Sequence, residues 1–149
     1  MGTRRAAVAA TFVTAMCVAL AFMLGCGPDE DARAIRVGVG LPLTGSASVL
    51  GEQMRMGAGL AMVQRNARGG INGRPIELVY GDDRGRATEA AKVAHRFADD
   101  PTVVAVIGHF NSACSLAGKP IYAEAGLLQF SPGSTNVDVC RGSDWTFRN

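Results

Sequence analysis

The fold class is indicated by residues 35–80, which read IRVGVGLPLTGSASVLGEQMRMGAGLAMVQRNARGGINGRPIELVY. The apolar, β-branched run Ile35–Leu41 is typical of a buried strand, and the turn-rich residues 42–48 follow it. Apolar residues then recur at helical spacing: Met56, Leu60, Val63 and Ala67. Gly69-Gly70 ends this helix, and residues 76–80 form a second apolar run. The stretch therefore predicts a strand, an amphipathic helix and a second strand.

The same alternation continues downstream. A second amphipathic helix is indicated by four apolar residues: Ala90, Val93, Ala94 and Phe97. Residues 103–107 and 127–130 predict two more strands, and residues 112–125 predict a third helix, which Pro120 must kink or restart and Gly126 caps. Continuous apolar strands that alternate with amphipathic helices need a parallel sheet covered on both faces. The predicted fold class is α/β, with a doubly wound parallel sheet.

The N-terminus has the layout of a secretory signal peptide. Two arginines precede an uncharged apolar run over residues 6–24. This run is nearly long enough to cross a bilayer, so a retained transmembrane anchor is the alternative. Residues 23–26, MLGC, resemble a bacterial lipobox, in which the cysteine is lipidated. We expect residues 1–25 to be removed, Cys26 to carry lipid, and residues 26–34 to tether the domain to the membrane.

Composition places the chain among ordinary globular proteins. Its 149 residues include 15 Lys and Arg against 13 Asp and Glu, a formal net charge of +2. Such a balance gives no basic footprint of the kind that binds nucleic acid, so no nucleic-acid partner is expected. Without the signal peptide, the chain is long enough for one modest domain but too short for a two-lobed protein.

The four cysteines divide by position. Cys17 lies in the signal peptide and Cys26 is the lipid candidate, which leaves Cys114 and Cys140. In an oxidising compartment these two are expected to form a disulfide. Two buried thiols are the alternative.

The candidate binding residues lie in loops. Open parallel sheets bind ligands beyond the carboxyl ends of their strands, which here are followed by residues 42–51, 108–112 and 131–136. Asn111-Ser112 lies where a helix begins, and the unpaired amides of a helix start attract anions. Ser112 either caps that helix with its side chain or lends its hydroxyl and amide to a ligand carboxylate. The hydroxyls and carbonyls of residues 131–136 can accept from an ammonium.

The sequence gives little support for catalysis or for metal binding. Gly38-Val39-Gly40 matches part of a dinucleotide fingerprint, but the third glycine is missing and Pro42 interrupts the expected helix start. His109 has no second histidine at metal-ligand spacing. Asp82-Asp83 follows a strand, where such a pair more often caps the next helix than performs acid–base catalysis. No base can be assigned to Cys114 as a nucleophile. The sequence therefore predicts no catalytic residue, no metal and no cofactor.

Short segments occur in an order typical of one known family: VGVGLPLTG (37–45), NARGGING (66–73), GDD (81–83), GHFNS (108–112), PIY (120–122), SPGSTN (131–136) and FR (147–148). Together they resemble the N-terminal lobe of the periplasmic leucine/isoleucine/valine-binding protein family, the type I two-lobed binding proteins. The likeness covers residues 35–149, and the sequence ends within the family's next strand. The resemblance therefore implies a truncated N-terminal lobe, which holds one side of a two-lobed cleft.

The resemblance also implies a set of ligand-binding residues. Ser112 and the backbone of Thr135 would hold the α-carboxylate of an amino-acid-like ligand, with Asn111 beside them. The Gly133 carbonyl and the Thr135 hydroxyl would meet its ammonium. Leu50 stands where relatives often place an aromatic residue against the ligand side chain. Because Leu50 departs from that pattern, a preference for branched aliphatic ligands does not follow directly.

The implied function is the substrate-binding component of an ABC importer, a binding protein and not an enzyme. Its partners would be the permease subunits and, through the lipid on Cys26, the membrane. Its location would be the periplasm or the outer face of the cell membrane. A ligand-sensing receptor of the same fold is the first alternative, because fold does not settle function. A dinucleotide-binding enzyme is the second.

Overall fold

The computed structural model describes residues 33–149. This part of the chain contains five strands, β1 (Ile35–Leu41), β2 (Ile76–Asp82), β3 (Val103–Gly108), β4 (Leu128–Ser131) and β5 (Thr146–Arg148). It contains three α-helices, α1 (Ser48–Ala67), α2 (Ala87–Ala98) and α3 (Ser112–Glu124), and a 3₁₀ helix at Val137–Val139. None of these helices is both long enough and apolar enough to span a bilayer. The predicted signal peptide and Cys26 lie outside the described residues.

The five described strands run parallel in one sheet, in the order β2-β1-β3-β4-β5. Val39 of β1 pairs with Tyr80 of β2 on one side and with Ile107 of β3 on the other. The strand order reverses between β1 and β3, and a ligand crevice forms at such a point, beyond the carboxyl ends of the strands. The predicted fold class, an α/β doubly wound parallel sheet, is confirmed.

The hydrophobic core lies between the sheet and helices α2 and α3, which also pack against each other. Its buried cluster contains Val93, Ala94, Phe97, Val103, Val106, Tyr122 and Leu127. The ring of Phe97 packs directly over two glycines of the sheet, because a Cβ added to Gly38 or Gly81 would lie 2.8 Å or 3.1 Å from its atoms. Gly38, half of the partial dinucleotide motif, is therefore needed for core packing.

The apolar stripe predicted for the first helix lies outside the core. Three of its residues are each more than half exposed: Met56, Leu60 and Val63. The helix instead turns Gly51 and the half-buried Met54 and Met62 inward. Gly51 approaches so closely that an added Cβ would lie 2.1 Å from the carbonyl oxygen of Pro42. Because a glycine and flexible methionines make the contact, the larger aliphatic residues indicated the wrong face.

The third helix ends as the sequence predicts. Gly126 adopts a left-handed φ of 66°, and the Leu127 amide donates to the carbonyl of Tyr122 at 2.8 Å, a common helix-ending arrangement. Pro120 lies inside α3, which continues past it to Glu124. Of the two expected effects of Pro120, a kink or a restart, the restart does not occur.

The structure does not join the predicted disulfide pair, since it describes Cys114 and Cys140 as free thiols, and the bond stays a prediction. Cys114 is fully buried on the inner face of α3. The segment that contains Cys140 is attached to α3 by Lys119, whose Nζ donates to the carbonyl oxygens of Asp138 at 2.9 Å and Arg141 at 2.5 Å. Because Cys114 points into the core, the helix holds this segment through Lys119 instead.

Candidate ligand-binding site

The side chain of Ser112 joins the start of α3 to the loop after β4. Its Oγ accepts hydrogen bonds from the backbone amides of Thr135 and Asn136, each at 3.2 Å. Ser112 does not cap its helix, because Asn111 is the N-cap residue and no side chain forms a capping hydrogen bond. The structure thus brings Ser112 and Thr135 together, while their role toward a ligand stays a prediction.

Asn111 contributes an unused acceptor to this edge of the sheet. Its Oδ1 is buried and has no hydrogen-bond partner among the described residues. The same atom lies near Gly85, at 3.6 Å from the position that a Cβ on Gly85 would take. A buried amide oxygen without a partner costs free energy.

Gly133 packs between two side chains. A Cβ added to it would lie 2.5 Å from Cδ2 of Phe110 and 3.5 Å from Cε of Met54. The first distance is shorter than any van der Waals contact, so a side chain at this position would force the Phe110 ring or the loop to shift. Phe110 therefore fixes how closely the backbone of residues 131–136 approaches the end of β3.

Leu50 lies in the first turn of α1 and is nearly half exposed. None of the hydrogen bonds among the described residues connects Leu50 to Ser112 or to the loop after β4. A shallow pocket of about 460 Å³ runs along the same end of the helix; it is lined by Leu43, Ser48, Val49, Glu52, Gln53 and Met56. The structure thus leaves Leu50 accessible without joining it to the other predicted site residues.

A second pocket, of about 740 Å³, lies at the end of α2. It is lined by Lys92, His95, Arg96, Asp99, Asp100 and Pro101. Helices between parallel strands run back toward the amino ends of the strands, so this pocket is at the opposite edge of the sheet from the loops described above. It is not part of the candidate site.

Asp82 holds the loop after β1. Its Oδ1 accepts from the amides of Leu43 at 3.0 Å, Thr44 at 3.1 Å and Arg84 at 3.0 Å, and its Oδ2 accepts from the Thr44 hydroxyl at 2.5 Å. Partial burial acts to raise the pKa of Asp82, but these hydrogen bonds outweigh it and hold the pKa below its ordinary value. The predicted helix-capping role is wrong, since Arg86 is the N-cap of α2 and no side chain caps it.

Asp83 makes a different contact. It is fully buried, and its Oδ2 lies 2.7 Å from Nδ1 of His109, while its Oδ1 accepts from the Gly85 amide at 2.8 Å. Nε2 of His109 lies 3.1 Å from the hydroxyl of Tyr122. Burial first, and then the charge of Asp83, raises the pKa of the Tyr122 hydroxyl, which keeps its proton available for donation.

The backbone of His109 supports a cluster of serines. Ser115 Oγ and Ser131 Oγ donate to the carbonyl oxygen of His109, at 2.9 Å and 2.6 Å. Ser134 Oγ lies 2.8 Å from Ser115 Oγ and 2.7 Å from Ser131 Oγ, and the Ser134 amide donates to Ser131 Oγ at 3.1 Å. All of these serines are buried. The cluster links the end of β3 to the loop that carries Gly133 and Thr135.

Sequence reasoning missed this arrangement, because it considered His109 only as a metal ligand and Asp83 only as a helix cap or an acid–base group. The signal that could have found it is the pair of glycines around the ring. A Cβ on Gly40 would lie 2.7 Å from His109 Cε1, and a Cβ on Gly118 would lie 3.3 Å from its Cδ2. Gly40 therefore makes room for His109, which also accounts for the rest of the partial dinucleotide motif.

A family profile described as periplasmic binding protein matches residues 34–148. The chain belongs to the periplasmic binding protein family. This confirms the resemblance stated for the sequence, and membership of the periplasmic binding protein family implies a periplasmic location. No group of three or more His, Cys, Asp or Glu residues suited to a metal ion occurs within residues 33–149.

Two curated relatives illustrate the similarity. A Leu/Ile/Val-binding protein homolog 2 of Brucella abortus is 48% identical over 115 residues, which cover 76% of this chain and 31% of that protein. An amino acid binding protein of Pseudomonas aeruginosa is 42% identical over 113 residues, which cover 75% of this chain and 30% of that protein. This member of the periplasmic binding protein family thus spans about a third of the length of these relatives.

Solved structures give the same result. A branched-chain amino acid transporter substrate binding protein of Streptococcus pneumoniae, in complex with isoleucine, has a TM-score of 0.74 and 32% identity, over 77% of this chain and 33% of that one. An ABC transporter substrate-binding protein of Desulfitobacterium hafniense, in complex with Leu, has a TM-score of 0.71 and 36% identity, over 78% and 34%. The relatives are solute-binding proteins and not enzymes. The dinucleotide-enzyme alternative is therefore wrong.

Proposed function

We propose that this chain is the N-terminal lobe of a solute-binding protein that captures an amino acid for an ABC importer. The proposed ligand is a branched-chain amino acid, or a related small amino acid or amide. The similarity to a Leu/Ile/Val-binding protein homolog, and to solved proteins with isoleucine or leucine bound, supports this proposal.

The observation that carries the proposal is the hydrogen bonding of Ser112. Its Oγ already accepts two amide hydrogens, from Thr135 and Asn136. A hydroxyl accepts two hydrogen bonds and donates one, so the hydrogen of Ser112 is left to donate to something else. At a helix start the dipole favours a negative acceptor, which suits a carboxylate. Ser112 would therefore donate to the ligand carboxylate.

The ammonium of the ligand needs acceptors at the same edge. We assign the Gly133 carbonyl and the Thr135 hydroxyl to it, with Asn111, the neighbour of Ser112 in sequence, as a further ligand-binding residue. Charge-assisted hydrogen bonds of this kind are about twice as strong as neutral ones. The acceptors and the Ser112 donor would thus select for a zwitterion.

Leu50 is the proposed contact for the ligand side chain, since it is accessible at the start of α1. The proposal also includes export and anchoring. Residues 1–25 would act as the signal peptide, and lipid on Cys26 would hold the mature protein at the outer face of the membrane, where permease subunits are the partners.

The experiment is a calorimetric titration of the full-length mature protein. The ligands are leucine, isoleucine and valine, together with leucinamide, which lacks the carboxylate, and 4-methylpentanoate, which lacks the ammonium. We expect at least one of the three amino acids to bind. Each analogue that lacks a charge should bind the protein at least about tenfold more weakly than that amino acid does. Binding of NAD without binding of any amino acid would overturn the proposal.

A further inference from the structure

Asp83, His109 and Tyr122 form a buried hydrogen-bonded triad that ligand contacts do not explain. Each of the three residues is fully buried, and each comes from a different element: the end of β2, the end of β3 and helix α3. Each ring nitrogen of His109 takes part in one hydrogen bond, Nδ1 with Asp83 at 2.7 Å and Nε2 with Tyr122 at 3.1 Å. Buried polar groups with complete hydrogen bonding fix a unique geometry.

Only one placement of the protons gives a hydrogen-bond partner to every donor and acceptor of Asp83, His109 and Tyr122. Asp83 already accepts from the Gly85 amide, and its second oxygen accepts from Nδ1–H of His109. Nε2 of a neutral imidazole is then an acceptor, and the Tyr122 hydroxyl, which keeps its proton, donates to it. The two hydrogen bonds therefore donate in one direction, from Tyr122 to His109 and from His109 to Asp83.

The ring cannot shift within its slot. Gly40 and Gly118 close the slot on either side, since an added Cβ on either would lie 2.7 Å or 3.3 Å from ring atoms of His109. The stacked ring of Tyr122 lies with its centroid 6.1 Å from that of His109. These contacts hold the ring beside the backbone carbonyl of His109, to which Ser115 and Ser131 donate.

That carbonyl is the point to which the loop after β4 is attached. It accepts from the hydroxyls of Ser115 and Ser131, which in turn hold Ser134. Thr135, the next residue, donates its amide to Ser112 at 3.2 Å. Any displacement of the His109 carbonyl would therefore move the loop relative to Ser112.

We infer that Asp83, His109 and Tyr122 are positioning residues for ligand binding, which hold residues 109–112 and 131–136 in the geometry that the ligand requires. They do not touch the ligand; they act through the serine cluster. The inference rests on the proposed amino-acid binding, but it also makes statements about the ligand-free protein. These statements can fail or hold independently of the ligand.

The test compares Tyr122→Phe with Tyr80→Phe in the full-length protein. Tyr122→Phe removes the hydroxyl that donates to His109. Tyr80→Phe removes the hydroxyl of a tyrosine in β2 that makes none of these contacts. In the ligand-free protein, nitrogen NMR should show His109 protonated at Nδ1, with an Nε2 resonance that shifts in Tyr122→Phe and not in Tyr80→Phe. The amide of Ser134 should exchange at least about tenfold faster in Tyr122→Phe only.

Affinity supplies the functional readout. Tyr122→Phe should bind leucine roughly tenfold more weakly, and Tyr80→Phe should bind it as the wild type does. His109→Asn, whose amide can still donate to Asp83, should retain more affinity than His109→Leu. A core variant, Phe97→Leu, controls for general destabilisation, because it loosens packing over Gly38 and Gly81 without touching the serine cluster.

The outcomes separate the two proposals. If the wild type binds no amino acid while the NMR and exchange results hold, the proposed function fails. The finding that Asp83, His109 and Tyr122 hold the loop after β4 in the ligand-free protein is then retained. If Nε2 of His109 is protonated in the wild type, the inference is overturned, even where Tyr122→Phe does not fold. It is also overturned if Phe97→Leu weakens binding and speeds Ser134 exchange as much as Tyr122→Phe does.

Discussion

Ser112 Oγ and the backbone nitrogen of Thr135 lie 3.2 Å apart and join two loops that are far apart in sequence. The contact depends on the strand order, because β3 and β4 are paired neighbours and their carboxyl ends meet at one edge of the sheet. The Thr135 amide is already engaged by a serine oxygen in this structure. A ligand carboxylate would therefore meet the hydroxyl of Ser112 first, as the remaining donor of this pair.

The close packing of Gly133 leads to a stability prediction. Gly133→Ala should lower the free energy of unfolding by about 1–3 kcal/mol, because the new Cβ would lie 2.5 Å from the Phe110 ring. Gly57→Ala is the matched control, since an added Cβ at this helical position meets nothing within 4 Å. That control should raise the stability by about 0.5–1 kcal/mol. Denaturant unfolding measures both, and equal effects would contradict the packing described here.

Asp82 predicts a pH dependence of stability. Its pKa is lowered in the folded protein from the ordinary 3.8, because the hydrogen bonds to its carboxylate outweigh partial burial. A lowered folded pKa gives stability that is present above the unfolded pKa and lost as the pH falls through the folded one. The stability difference between the wild type and Asp82→Asn should therefore be constant above about pH 5 and shrink below it. A difference that stays constant down to acid unfolding would contradict this role.

The two free thiols differ in accessibility, which alkylation can measure. Burial first, and then the charge of Asp83, raises the pKa of Cys114 to about 12, so its thiolate is scarce at neutral pH. Cys140 is only partly buried. Iodoacetamide at pH 8 should modify Cys140 in the native protein, and Cys114 only after unfolding, as read by peptide mapping. A mapped peptide pair joined by a disulfide would contradict the structure.

Four of the five described strands and the three α-helices could be predicted from local sequence, because each is an apolar run or follows a helical period. β5 is not an apolar run and was expected only from the family resemblance. Ile35–Leu41 is a strand at the predicted bounds, and Gly126 caps α3 in the left-handed conformation. The inward face of α1 could not be predicted in the same way. Gly51 and Met54 make that contact, and neither residue contributes to an aliphatic stripe.

The candidate site was only partly accessible to sequence reasoning. Ser112 and Thr135 could be chosen from their loops, since parallel strands bring those loops to one edge. The distant partners of Asp82 and Asp83 could not, because Thr44 and His109 lie in the segments that follow β1 and β3, far away in sequence. A local pattern can propose a helix cap for a carboxylate, whereas a buried contact with His109 depends on the assembled sheet.

The most direct test of the central claim is a double-mutant cycle between Ser112 and the ligand carboxylate. Wild type and Ser112→Ala are each titrated with leucine and with leucinamide, and Thr102→Ala, a hydroxyl removed at the opposite edge of the sheet, is the control. If Ser112 donates to the carboxylate, Ser112→Ala weakens leucine binding by roughly 10- to 100-fold and leaves leucinamide binding almost unchanged, a coupling of about 1.5–3 kcal/mol. An equal loss for both ligands, or no loss for leucine, would contradict the claim.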